Sequence, residues 1–253
     1  MKPLKKHLVP ALLWLLALSA PECGIAETPS FTSARPNVNA KSITTPVAWG
    51  ASNNVLFMAV GGTNPAPYAT IPDGAAVIGL GLGDPRKNVG LQLSLTSLDL
   101  STLGRYAMSC HLHRRLGNAD AIAVGVSNIY LSPGGDGTTS VYTVYSKMLP
   151  GAAQFHFSIG AGNGRFAEKS PDDIMTGKGA HGTYVFGNVA CKVADSFNVI
   201  ADWNGLNLNA GVSKTFRISN IPIALVVGAA DLTKNSGDGT RLVFAVGTAF
   251  KLF

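Results

Sequence analysis

The 253-residue chain holds 20 Lys and Arg against 14 Asp and Glu, a formal net charge of +6, yet charged residues make up only 13% of it and glycine is abundant at 29 residues. A typical soluble domain is about 25% charged, so a densely charged soluble surface is excluded. The basic residues form no cluster in sequence, which argues against nucleic acid as a partner.

At the N-terminus, Lys2, Lys5 and Lys6 precede an apolar stretch from Leu8 to Ala20, and Gly24-Ile25-Ala26 is a small-x-small site. This layout predicts a secretory signal peptide over 1–26, cleaved after Ala26, and therefore an exported protein. The apolar run is too short for a permanent membrane helix, and Pro21-Glu22 before Cys23 does not suit lipidation. Without Lys2, Lys5, Lys6 and Glu22 the chain keeps 17 basic and 13 acidic residues, a net charge of +4. Cys110 and Cys191 remain, which is no disulfide framework. Residues 27–54 are rich in Ser, Thr, Asn and Pro without a lasting period, and read as a periplasmic tail or a segment tucked into a lumen.

From residue 55 onward the period is two. In Asn207–Arg217, Leu206, Leu208, Ala210, Val212 and Phe216 alternate with polar or small residues, and Phe155, Phe157 and Ile159 do the same in the stretch before Gly162. Strands are expected near 55–61, 75–83, 88–98, 104–115, 120–131, 138–149, 152–162, 183–193, 195–203, 206–218, 221–231 and 240–252, about twelve, with no long helix between them. Adjacent strands then pair antiparallel. The connections sort by length. One end of the barrel has short turns such as Asp84–Lys87, Leu116–Ala119, Pro150-Gly151, Ala194-Asp195 and Ser219-Asn220, whereas the long loops, 163–182 above all, fall on the other. Short periplasmic turns and longer extracellular loops mark transmembrane barrels. Within the longest loop, Ser170-Pro171-Asp172-Asp173-Ile174 reads as an N-cap, a Pro at N1 and an acidic first turn. "GDGT", at 135–138 and again at 237–240, is turn chemistry rather than a calcium cage, because one Asp without flanking carboxylates cannot enclose the ion.

Most segments have the 9–11 residues a tilted strand needs to cross a bilayer, and a sheet in lipid must close so that no backbone group lacks a partner. Lys214, on an apolar parity, sits near the periplasmic end where it can snorkel. These features, with the final strand "RLVFAVGTAFKLF" ending on Phe253, resemble bacterial outer-membrane β-barrel proteins. The resemblance implies an all-β, single antiparallel up-and-down transmembrane barrel over 55–253, an outer-membrane location, contact with outer-membrane lipid, and handling by the outer-membrane assembly machinery through the terminal aromatic. One departure is that Phe253 shares parity with Lys251 and Ala249 rather than with the lipid-facing set.

"RYAMSCHLHRR" at 105–115 concentrates reactive groups, but a strand divides them between two faces: Tyr106, Met108 and Cys110 outward, Arg105, Ser109, His111 and His113 inward. Two imidazoles at i and i+2 lack a third ligand, and His156 is about three strands away, so no metal is expected. "GLGLGDPRKNVG" lacks nucleotide-loop spacing and reads as glycines packing inside the barrel. No cofactor is expected. The inward face is expected to carry Arg105, Ser109, His111, His113, His156, Lys192, Asp202, Arg217, Arg241 and Lys251, a basic lining that would favour anions. The leading expectation is a passive pore for small solutes, without enzymatic activity. One alternative is a plugged structural or adhesive barrel acting through loop 163–182. Another is a lipid hydrolase using His156 and Ser158, whose His-x-Ser spacing resembles that of outer-membrane lipid A deacylases.

Overall fold

The computed structural model describes residues 41–100, 102–133, 137–149, 154–219 and 221–252. The expected signal peptide, the first half of segment 27–54, Gly135 and Asp136 of the first GDGT, the Pro150-Gly151 turn, Asn220 and Phe253 lie outside these residues.

Twelve strands follow one another: β1 (Val55–Asn64), β2 (Asp73–Gly83), β3 (Gly90–Asp99), β4 (Gly104–Arg115), β5 (Asp120–Leu131), β6 (Ser140–Leu149), β7 (Phe155–Gly162), β8 (Val185–Ala194), β9 (Phe197–Trp203), β10 (Leu208–Ile218), β11 (Ile221–Ala230) and β12 (Arg241–Lys251). Each pairs antiparallel with its sequence neighbour, and β1 closes on β12 from Val55↔Lys251 to Asn64↔Leu242, so the sheet is a closed barrel without an edge. No helix among the described residues is long and apolar enough to cross a membrane.

The alternation turns large apolar side chains outward and leaves polar and apolar ones together inside. Met58, Ile78, Leu93, Met108, Val124 and Ile159 are exposed on the outer wall, whereas His111, Asn198, Asp202, Asn209 and Ser213 are buried inside. In water this would be a large exposed apolar surface; around a transmembrane barrel it is the lipid-facing band. Lys214 ends that band, its ammonium donating to Asp195 O at 3.0 Å at the short-turn rim. Cys110 and Cys191, both on the outward parity of β4 and β8, are free thiols.

A register shift on β4 concerns Ser109. Met108 pairs with Tyr130 and Cys110 with Val126, so three residues of β5 oppose one of β4. Asn128 absorbs the excess with φ +55°, a left-handed conformation that asparagine tolerates, and its N–H donates to Ser109 Oγ at 3.0 Å.

Candidate functional site

The interior is built by the inward positions together with residues 41–52. These twelve residues have no regular period, yet 41–48, 51 and 52 are buried. Entering at the short-turn rim, where Asn53 N donates to Gly83 O at 2.8 Å, they run along the inner wall. Ala51 N donates to Gln92 Oε1 on β3 at 2.7 Å. Gly50 packs on two imidazoles; a Cβ there would fall 2.7 Å from His113 Nδ1 and 2.8 Å from His111 Cδ2. Trp49 meets His156 edge-on at 5.7 Å between ring centres, and Ala48 N donates to Ser146 Oγ on β6 at 2.8 Å. Thr45 Oγ1 accepts from Asn188 Nδ2 on β8 at 3.0 Å.

The segment turns at 42–45, with Thr45 N donating to Ser42 Oγ at 2.9 Å. Asp202, near the long-loop end of β9, holds this turn. Its Oδ2 accepts from Ile43 N and Thr44 N at 2.8 Å each and from Ser42 Oγ at 3.0 Å. Its Oδ1 accepts from Thr44 Oγ1 at 3.0 Å and Asn209 Nδ2 at 2.7 Å. A carboxylate inside a barrel is costly unless every lone pair is used; here five donors use them. The apolar packing follows the same path, since the three interior clusters each include one residue of the segment, Ala51, Ile43 or Ala48.

At the long-loop mouth a 3-10 turn, Gly164–Phe166, reaches inward. Phe166 stacks on Phe186 at 4.2 Å between centres, and the Arg165 guanidinium donates to Thr44 O. The segment is thus gripped from the wall and from the loop above it.

The ten residues expected to line the interior fall into three groups. His111, His113, His156 and Asp202 are buried against residues 42–50, with His111 Nδ1 2.9 Å from Tyr142 Oη. Ser109 is taken up by the Asn128 irregularity. The cations lie toward the rims: Arg241 Nε is 2.6 Å from Asp231 Oδ2, Lys192 Nζ 3.2 Å from Asp195 Oδ1, and Arg105 Nη2 donates to Leu98 O at 3.1 Å, while Arg217 and Lys251 are exposed at the ends of their strands. Carboxylates therefore compensate part of the lining's positive charge. Ser158 shares a 2.7 Å hydrogen bond with Ser146 Oγ, and no hydrogen bond joins it to His156, whose ring nitrogens have no partner among the described residues. No group of three His, Cys, Asp or Glu side chains capable of holding a metal occurs among the described residues.

No protein-family model matches this chain, and no curated protein matches it either. Among solved structures it is similar to KdgM porin in complex with disordered oligogalacturonate, with a TM-score of 0.47 and 8% identity over 79% of this chain and 99% of that one. It is also similar to outer membrane phospholipase A from Escherichia coli, with a TM-score of 0.36 and 13% identity over 79% of this chain and 97% of that one.

Sequence reasoning named Asp202 but missed its ligands and missed Gln92, Ser146, Asn188 and Asn209, which sit on the same inward parity. The available signal was Asp202 itself, a lone carboxylate on a face of basic residues. A test free of charge effects comes from Gly81, where a side chain would overlap the Ala51–Ser52 peptide. Gly81→Val suits β2 as a strand residue but has no space inside. It is expected to speed amide exchange at 42–52 by roughly tenfold or more, while the strand amides keep their protection. Unchanged exchange at 42–52 would count against tight packing of the segment on the wall.

Proposed function

We propose that this protein is an outer-membrane β-barrel closed by its own segment 41–52, a membrane scaffold that presents its long loops, chiefly 163–184, at the outer surface. Exposed apolar residues around a closed sheet support a membrane location. The observation carrying the closed state is the Asp202 carboxylate, buried inside the barrel near its long-loop end and fully hydrogen-bonded by Ser42, Ile43, Thr44 and Asn209. A segment that satisfies a buried charge is a built component of the interior, and this moves the reading from an open anion-preferring pore to a plugged barrel. Conduction of small solutes then belongs to a state in which the segment has left. The hydrolase reading has less support, because Ser158 bonds Ser146 and both Ser158 and His156 face inward, away from a lipid substrate.

Planar-bilayer recording tests the reading. The full mature chain is expected to be silent, and a chain lacking residues 27–52 to show discrete conductance steps. Open-channel steps from the full chain would restore the passive pore as the leading function.

A further inference from the structure

The two rims of the barrel differ in charge. At the short-turn rim, where β1 begins and β12 ends, nine Lys and Arg stand against three acidic side chains among the described residues, Asp84, Asp120 and Asp195. At the long-loop rim, six Lys and Arg meet seven Asp and Glu among the described residues. The excess at the short-turn rim is concentrated on neighbouring staves. Arg86 and Lys87 occupy the turn after β2, Arg114 and Arg115 end β4, and Lys147 lies near the end of β6. Arg115 N donates to Pro85 O at 2.9 Å, which sets the turn carrying Arg86 and Lys87 against the end of β4. Arg114 pairs with Ile122, and Ile122 with Tyr145, two residues before Lys147. Arg114 and Lys147 are therefore two strand spacings across and two residues along from each other, ~12 Å between backbones.

Both belong to the outward parity, continuing the apolar columns of Leu112 and of Val141 and Tyr145. Their stems run along the lipid-facing band, which brings the charged heads to the level of the head groups. The local carboxylates are otherwise engaged: Asp84 Oδ1 accepts from Arg86 N at 2.9 Å, and Asp120 Oδ2 accepts from Tyr145 Oη at 3.3 Å. Neither comes within 4.0 Å of the Arg86, Lys87, Arg114 or Lys147 side-chain nitrogens. Tyr145 and Phe157, 6.4 Å apart, supply the interfacial aromatic pair beside the patch.

We propose that this patch is a docking site for the phosphate of an anionic phospholipid in the leaflet at the short-turn rim. The proposal rests on the outer wall facing lipid. A soluble acidic partner would meet the turns from below. Arg114 and Lys147 instead project sideways, from the wall into the head-group layer.

Native mass spectrometry of the detergent-solubilised full chain, titrated with phosphatidylglycerol or phosphatidylcholine, tests this. The wild type is expected to retain phosphatidylglycerol preferentially, and high salt to erase the preference. Arg114→Gln with Lys147→Gln is expected to weaken retention by roughly 25-fold, about fivefold per charge. Lys169→Gln with Lys234→Gln, at the opposite rim, should leave it intact. Equal retention of the two lipids by the wild type, or wild-type retention by the Arg114/Lys147 variant, would overturn the proposal, as would preferential binding of soluble polyphosphate. Heat-modifiable gel migration confirms that each variant folds, and the salt titration on wild type decides the matter if one does not. A chain that never enters membranes fails the membrane reading; one that enters but shows no lipid preference fails only this inference.

Discussion

Asp202→Ala is expected to release residues 41–52 from the barrel interior and make the full-length chain conduct. The wild-type carboxylate is buried and accepts from two backbone N–H groups, two hydroxyls and an amide. Removing it leaves Ile43 N and Thr44 N without an acceptor in a space closed to bulk water. Each stranded buried donor costs about 1–3 kcal/mol, so the closed state loses several kcal/mol for as long as the segment stays. The open state loses nothing comparable, because water satisfies the same groups. Two measurements follow the release. Bilayer recordings should change from silent to stepwise conductance. Tryptic cleavage after Lys41, which is buried in the closed barrel, should accelerate roughly hundredfold, as expected for a loss of about 3 kcal/mol from local closure. Asp202→Asn keeps one acceptor oxygen but turns an amide donor toward donors, so its effect should approach that of alanine. A silent variant with Lys41 still protected would show that packing of Ile43, Ala48 and Ala51 holds the segment without the carboxylate.

The barrel was largely legible because its information is local. β4 and β5 occupy 104–115 and 120–131, the bounds read from alternation and turn residues alone, and the other strands differ by only a few residues at their ends. Period two is imposed by the backbone itself, so each strand announces its faces within ten residues. The same reasoning placed α1 (Pro171–Met175), where Ser170 Oγ accepts from Asp173 N at 3.1 Å. The contents of the barrel were legible only as one of two alternatives, a periplasmic tail or a segment tucked into the lumen, because they depend on contacts far apart in sequence. Ser42 and Asp202 are 160 positions apart and Thr44 and Asn209 165, and nothing in the aperiodic stretch 41–52 marks it as a ligand for the wall. Charge pairing was hidden likewise: Arg241 reads as one more inward cation until the loop returns Asp231 to within 2.6 Å. Asp173 makes the same point outside the barrel, since the helix-start reading explains its position and not its role.

Asp173→Ala is expected to unfasten three of the long loops at once. Its carboxylate is fully buried and accepts from Tyr68 in the β1–β2 loop, from Ser236 Oγ at 2.5 Å and from Gly237 N at 2.9 Å in the β11–β12 loop. Lys178, 3.5 Å from Oδ1, donates to Gly237 O and lies over the Tyr68 ring. Burial pushes the Asp173 carboxyl upward, but the bonds from Ser236, Tyr68 and Gly237 and the Lys178 charge outweigh it and hold the group below its ordinary value of 3.8. Tyr68 moves up, first by burial and then through the same carboxylate. With the folded value depressed, the latch's stabilisation is fully present above about pH 4 and is lost as the pH falls through the folded value. Between pH 5 and 8 the loops should stay fastened. The alanine substitution removes about 2–4 kcal/mol, from the hydrogen bonds that Tyr68, Ser236 and Gly237 make to a charged group. Exchange of the Gly237 amide should therefore quicken at least thirtyfold at neutral pH, while the amides of β11 and β12 stay protected. In Asp173→Asn the acid-dependent step should vanish, since no proton can be taken up there. A Gly237 amide equally protected in wild type and Asp173→Ala would mean that Asn207, which accepts from Asn235 N and Ser236 N at 2.7 and 3.3 Å, orders that loop without the carboxylate.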